Sequence, residues 1–166
     1  MQPAKRVNIV SLKLVREGSV LYRERRVQSP EDAYQLLKPF LVDADREVFV
    51  VVCLDTKNQP TAIHVCHVGS LNASIVHPRE VFKSAILANA ASVLVAHNHP
   101  STDPTPSRED IEVTRRLVEA GRIVGIELGC VPVTPRSLSK IGRDRESLNG
   151  SLFLFFVPVT IGFCLG

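Results

Sequence analysis

Seven consecutive apolar residues, Val48-Phe49-Val50-Val51-Val52-Cys53-Leu54, constrain this chain more than any other feature. Four of them are valine, so the run favours extended backbone, and the absence of any apolar-polar alternation means that neither face of the strand can meet water. A central strand over Glu47–Asp55, covered on both sides, is the expectation. Lys57-Asn58-Gln59-Pro60 then supplies a turn into a second strand, Ala62 to Val68, which pairs antiparallel with the first. With 166 residues the chain suits one hydrophobic core.

The elements that cover such a strand are readable around it. Ser29-Pro30-Glu31-Asp32 offers an N-cap, a first-turn proline and acidic residues at the positive end of a helix dipole, followed by Ala33, Leu36, Leu37 and Phe40 at helical spacing. This predicts a helix from about Pro30 to Val42. A second helix opens at His77-Pro78-Arg79-Glu80, with Val81, Phe82, Ala85, Ile86 and Ala90 as its buried positions. Ser92-Val93-Leu94-Val95-Ala96 reads as a short buried strand, and a loop rich in Pro, Ser, Thr and Asp leads to a third helix from about Ser107 to Val124. Residues 1–28, with alternating stretches around Glu17-Gly18-Ser19, read as an N-terminal β-hairpin arm; residues 29–128 form the main domain.

Beyond Leu128, residues 129–166 carry no secure element. Ser151 to Gly166 is uncharged and holds four of the seven phenylalanines, yet its apolar run is shorter than the roughly 20 residues a spanning helix needs and contains Pro158 and Gly162. Membrane insertion is not expected; the tail is either a core-packing strand that repairs the sheet or an association-prone segment. The chain is 45% hydrophobic and 22% charged, which excludes a disordered or fibrous protein. Its net charge of +3 comes without a basic block, so nucleic-acid binding is permitted but not supported by charge. No secretory signal is visible and no CxxC spacing links Cys53, Cys66, Cys130 and Cys164, so a cytoplasmic protein with reduced, mostly buried thiols is expected.

Chemistry concentrates at the junction between the Ser92 strand and the third helix. His97 and His99, two residues apart at the end of a strand, project to the same side, so both imidazoles can reach one ion at roughly 2.0 to 2.1 Å. Asp110 sits three residues into the next helix, where a proline-rich loop can bring its carboxylate back as a third ligand. Two histidines and one carboxylate leave a position for water, the layout of a catalytic zinc site. Each feature has a plainer reading. Ser107-Arg108-Glu109-Asp110 is also a helix start with Ser at the N-cap and an acid at N3, and paired histidines are commonly surface or packing residues. The conjunction of both at one junction favours the metal. A second cluster, His64-Val65-Cys66-His67, lacks a further partner and reads as a strand interior, and His77 reads as a helix-boundary residue.

His97, His99, Ser107 and Asp110 together match the His-x-His, seven residues, Ser, two residues, Asp pattern, which resembles the JAMM signature of the MPN (JAB) metalloprotease superfamily. His97-Asn98-His99-Pro100-Ser101, with Leu71-Asn72-Ala73-Ser74-Ile75-Val76-His77-Pro78-Arg79-Glu80-Val81 upstream, is similar to the bacterial RadC-like members over about Arg46 to Leu128. The resemblance implies an α/β (α+β) fold of MPN/JAB type: three layers, a mixed β-sheet flanked by helices, in a cytidine-deaminase-like architecture. It also implies a zinc ion on His97, His99 and Asp110, with Ser107 donating to the developing oxyanion. Glu47 resembles the family's general base at the start of the first core strand, with Asp43 and Asp45 as neighbouring acids that compete for that place and solvent exposure as the plain alternative.

The implied activity is hydrolysis of a peptide or isopeptide bond in a protein or peptide substrate by a zinc-activated water. A DNA-repair-associated accessory protein and a non-catalytic MPN-like interaction module are the competing expectations. The sequence departs from the RadC-like pattern at Thr102, where glycine is usual, and from Gly129 onward, where an Asp-His pair and a strand hairpin are replaced by unrelated sequence.

Overall fold

The doubly buried strand organises the molecule. In a computed structural model of the chain, which describes residues 4–41, 44–69, 76–99, 108–129 and 151–154, β1 (Val48–Leu54) is buried at every position. The side chains of Pro30, His99 and Ser151–Leu154 fall outside that description. β1 pairs antiparallel with β2 (Pro60–Val68) on one side and with β3 (Ser92–His99) on the other. The remaining strands share the far edge of β3. β4 (Glu127–Gly129) runs parallel to Ser92–Leu94, and β5 (Ser151–Leu154) runs antiparallel to Ala96–His99. The sheet is therefore mixed, in the order β2-β1-β3-β4 with β5 beside β4 on β3.

Alternation along β1 and β3 divides the core in two. Val48, Val50, Val52, Leu54, Leu94 and Ala96 face helix α1 (Pro30–Leu41) and its Leu36, Leu37 and Leu41. Phe49, Val51, Cys53, Val93 and Val95 face α2 (Pro78–Leu87) and α3 (Arg108–Val124), meeting Val81, Phe82, Ala85, Val113 and Leu117. Helices on both faces of a mixed sheet are the expected three-layer α/β arrangement. Each buried valine or leucine contributes roughly 1.5 to 3 kcal/mol, which explains why an unbroken apolar run is tolerated only in the middle layer.

Local signals act as the sequence implies at several points. Asp32 N–H donates to Ser29 Oγ (3.2 Å) while Ser29 N–H donates to Asp32 Oδ2 (3.0 Å), a reciprocal capping box that starts α1. Between β1 and β2, Asp55 Oδ1 accepts from the N–H groups of Lys57 and Gln59, both at 2.8 Å, and Asn58 takes a left-handed φ of 57°.

Three expectations need correction. The N-terminal hairpin does not form: residues 4–29 contain no strand, and Val7, Ile9, Leu12 and Leu21 are exposed. A two-stranded ribbon with no third strand or helix to cover its apolar side is barely stable in water, so alternation alone cannot make it. The arm joins the core at Val27, buried, whose N–H donates to Asn58 O (2.9 Å), and at Tyr22, packed against the same cluster. On α2, Ile86 is exposed rather than buried, because the helix buries Val81, Phe82, Ser84 and Ala85 instead. Beyond Leu128 the chain does add structure to the sheet, through Gly129 in β4 and through β5.

Candidate metal centre

β3 carries the centre of the predicted site into the α2/α3 side of the sheet. His97 is buried and is the cross-strand partner of Phe49, and the two rings lie nearly parallel, 17° apart with centroids 6.1 Å from each other. Asp110 is the third residue of α3, where the positive end of the helix dipole favours its carboxylate. His97 Nε2 lies 3.3 Å from Asp110 Oδ1, and the two side chains are only 5% and 10% exposed. Residues thirteen apart in sequence, one on a strand and one on a helix, thus meet in a nearly dry position.

That separation allows a test of whether the pair fits a zinc ion. Two ligand atoms on a tetrahedral zinc, each at roughly 2.0 to 2.1 Å, stand about 3.3 Å from one another. The His97 and Asp110 atoms therefore already sit at a ligand-to-ligand spacing, and a neutral imidazole nitrogen with a carboxylate is a donor set that zinc accepts. Without an ion, the same contact is a close imidazole–carboxylate pairing, a salt bridge when the imidazole is protonated.

The other predicted residues are placed as follows. His99 ends β3, with Ser151 as its backbone partner on β5; its side chain lies outside the described residues, as does the whole of Ser107. Among the described residues no group of three or more His, Cys, Asp or Glu converges on one point. Glu47 is half-buried and immediately precedes β1, two residues from Phe49, and its carbonyl accepts the Gly69 N–H at 2.8 Å. Of its competitors, Asp45 is exposed in solvent beside Arg46, and Asp43 lies outside the described residues. Burial thus separates Glu47 from Asp45.

The second cluster does not assemble. His64, opposite Val51, is exposed, Cys66 sits in a bulge of β2 opposite Phe49/Val50, and no third ligand-type side chain joins them among the described residues. Cys53 and Cys66 are both free thiols, pushed up in pKa chiefly by burial. His77 caps α2 through its backbone alone, as a boundary residue.

One participant escaped the sequence reading. Asn98, between the two histidines, is buried, and its carboxamide reaches across to the start of β1: Oδ1 accepts from Val48 N–H at 2.7 Å and Nδ2 donates to Arg46 O at 3.0 Å. No periodicity announces such a contact, since it depends on the register between segments fifty residues apart.

A strand that carries the buried His97, packed beneath a helix whose first turn returns Asp110, accords with the resemblance noted in the sequence. Residues 27–129 match the RadC-like JAB domain, and the chain belongs to that family. Its relatives include the UPF0758 proteins of Methanosarcina barkeri, 55% identical over 105 residues (63% of this chain, 46% of the relative), and of Desulforamulus reducens, 50% identical over 129 residues (76% and 57%). A third, from Caldanaerobacter subterraneus subsp. tengcongensis, is 58% identical over 102 residues (61% and 44%). The chain spans about half the length of the curated relatives it matches. No helix among the described residues is long and apolar enough to cross a membrane.

Proposed function

We propose that this chain is a zinc-dependent hydrolase of JAMM type that cleaves a peptide or isopeptide bond. The observation that carries the reading is the buried His97–Asp110 pair, held at the spacing of two ligands on one zinc. His99 is the third ligand in this reading. A zinc ion held there supplies a Lewis acid and a water that is acidic at neutral pH.

The chain's own residues do the rest. Phe49 and the α2/α3 core keep His97 dry and fix its ring, so the ligand does not have to be ordered when metal arrives. Glu47, half-buried at the mouth of β1, accepts a proton from the attacking water and returns it to the leaving amine. Ser107 donates its hydroxyl to the developing oxyanion, a contact typically worth roughly 2.7 to 4 kcal/mol of barrier. The two free thiols accord with a reducing, cytoplasmic setting.

The test is metal content by mass spectrometry on the purified chain beside His97→Ala, His99→Ala and Asp110→Ala. One zinc per chain in the wild type, lost in all three variants, supports the reading. Glu47→Gln should then retain zinc and lose turnover of an isopeptide-linked substrate. A folded wild type that takes up no zinc refutes it and leaves a JAB-type scaffold without chemistry.

A further inference from the structure

The β1–β3 ladder runs in unbroken register from Leu54↔Ser92 to Phe49↔His97 and stops there. The next rung would set Val48 against Asn98. At that rung the Val48 N–H donates instead to the Asn98 side chain, at 2.7 Å, and the same carboxamide donates onward to Arg46 O at 3.0 Å. These two backbone groups belong to the peptide units on either side of the Glu47 Cα. From the opposite side, Gly69 N–H donates to the Glu47 carbonyl at 2.8 Å.

With both flanking peptide planes tied, the φ and ψ of Glu47 are held, and with them the direction in which its Cα–Cβ bond leaves the backbone. Asn98 is suited to the task because one planar group of this size offers both an acceptor and a donor. It is also buried, and its bond from Val48 N–H is shielded from water, while that to Arg46 O is partly buried. Because Asn98 is covalently joined to His97 and His99, the clamp references the start of β1 directly to the strand that bears the histidines.

We infer that Asn98 is a positioning residue, which sets the Glu47 carboxylate relative to the His97 end of β3 without itself meeting substrate. The inference rests on the hydrolase reading above for the role of Glu47, whereas the clamp itself can be read without metal.

The experiment uses the full chain as wild type, Asn98→Leu, Glu47→Gln and the double variant, with Asn98→Ala in reserve should the leucine form fail to fold. In metal-free protein, amide hydrogen exchange at Val48 should accelerate about tenfold in the Asn98 variants, the effect of losing one buried hydrogen bond. The second readout is the pH inflection of the visible spectrum after loading with cobalt(II). Glu47→Gln should move that inflection, Asn98→Leu should move it in the same direction by about half as much or more, and the double variant should add little to Glu47→Gln alone, the non-additivity of residues acting as one unit.

An unchanged Val48 exchange rate overturns the clamp. Faster exchange with a wild-type inflection, or fully additive shifts in the double variant, overturns the positioning role and leaves Asn98 a packing residue. Failure of the wild type to bind cobalt overturns the hydrolase reading and the catalytic meaning of the clamp with it, an outcome told apart by the metal-free exchange data.

Discussion

The two faces of the sheet are built from the same two strands and yet end differently. Against α1, Val48, Val50, Val52, Leu54, Leu94 and Ala96 meet Leu36, Leu37 and Leu41, with no buried charge and no histidine among the described residues. Against α2 and α3, the matching row of Phe49, Val51, Cys53, Val93 and Val95 is as deeply buried but runs into His97 and Asp110. The first face is apolar packing up to Ala96, where β3 continues into the buried Asn98. The second spends part of its interior on polar groups that do not help folding, which is the usual mark of a functional site on an otherwise consistent fold.

The largest expected effect separates the faces outright. His97→Ala should reduce zinc affinity by more than about a hundredfold, exceeding the 10- to 100-fold loss typical of residues that merely support a ligand. Leu37→Ala on the α1 face should cost about 2 to 5 kcal/mol by the cavity it leaves, with one zinc still bound per folded chain. Thermal melts with and without zinc check both together, because a ligand that binds only the folded state raises its stability. Zinc should raise the melting temperature of wild type and Leu37→Ala alike, and not that of His97→Ala. A zinc-dependent rise in His97→Ala would erase the distinction between the faces.

The α1 face was the more legible of the two. Its helix is written in the Ser29-Pro30-Glu31-Asp32 capping box and the spacing of Leu36 and Leu37, and its strand in an apolar run that only a middle layer can bury. Both are local signals. On the other face, spacing suggested that His97 and Asp110 could meet, and they do; the His99 side chain and the whole of Ser107, the rest of the expected set, lie outside the described residues.

What sequence could not show depends on tertiary neighbours. Alternation at Val7–Leu14 describes a half-buried strand only if another element covers it, and here those residues stand in solvent. Asn98 reads as an ordinary polar residue until the register brings Arg46 and Val48 beside it. The uncharged tail suggested a strand or an association-prone segment, and β5 beside Ala96–His99 accords with the strand.

A smaller effect tests how closely the α2/α3 layer is seated. A Cβ on Gly121 would lie 2.6 Å from the Ile126 carbonyl oxygen and 3.2 Å from Phe82 Cζ, so α3 turns into β4 at a distance only glycine permits. The Gly121 carbonyl accepts from both Gly125 N–H (2.8 Å) and Ile126 N–H (3.0 Å), closing the helix around Gly125 at φ +77°. Gly121→Ala should therefore cost about 1 to 3 kcal/mol in denaturant unfolding, despite alanine's better helix propensity. A neutral or stabilising result would mean that α3 can move away from Phe82 freely, and that the site-bearing layer is looser than the α1 layer.

The smallest effect comes from the thiols, which also lie on the α2/α3 side. Burial pushes the Cys53 thiol above its usual value of 9.0, with its hydrogen-bond contact with Ser84 working against it, and burial likewise raises Cys66. In the unfolded chain these thiols ionise near their ordinary value, while in the fold they hold their protons to higher pH. The unfolded state therefore binds fewer protons above about pH 9, and stability falls as pH rises through that range, by at most about 1.4 kcal/mol per pH unit for each thiol. Cys53→Ala should lower stability at pH 7 through the lost packing and flatten part of the decline between about pH 8.5 and 10. Urea titrations across that range decide it: an equally steep decline in the variant would assign the alkaline loss elsewhere, for instance to Tyr22, whose hydroxyl is pushed up to about 12 by burial and by the nearby charges of Asp32 and Glu24 on the α1 side.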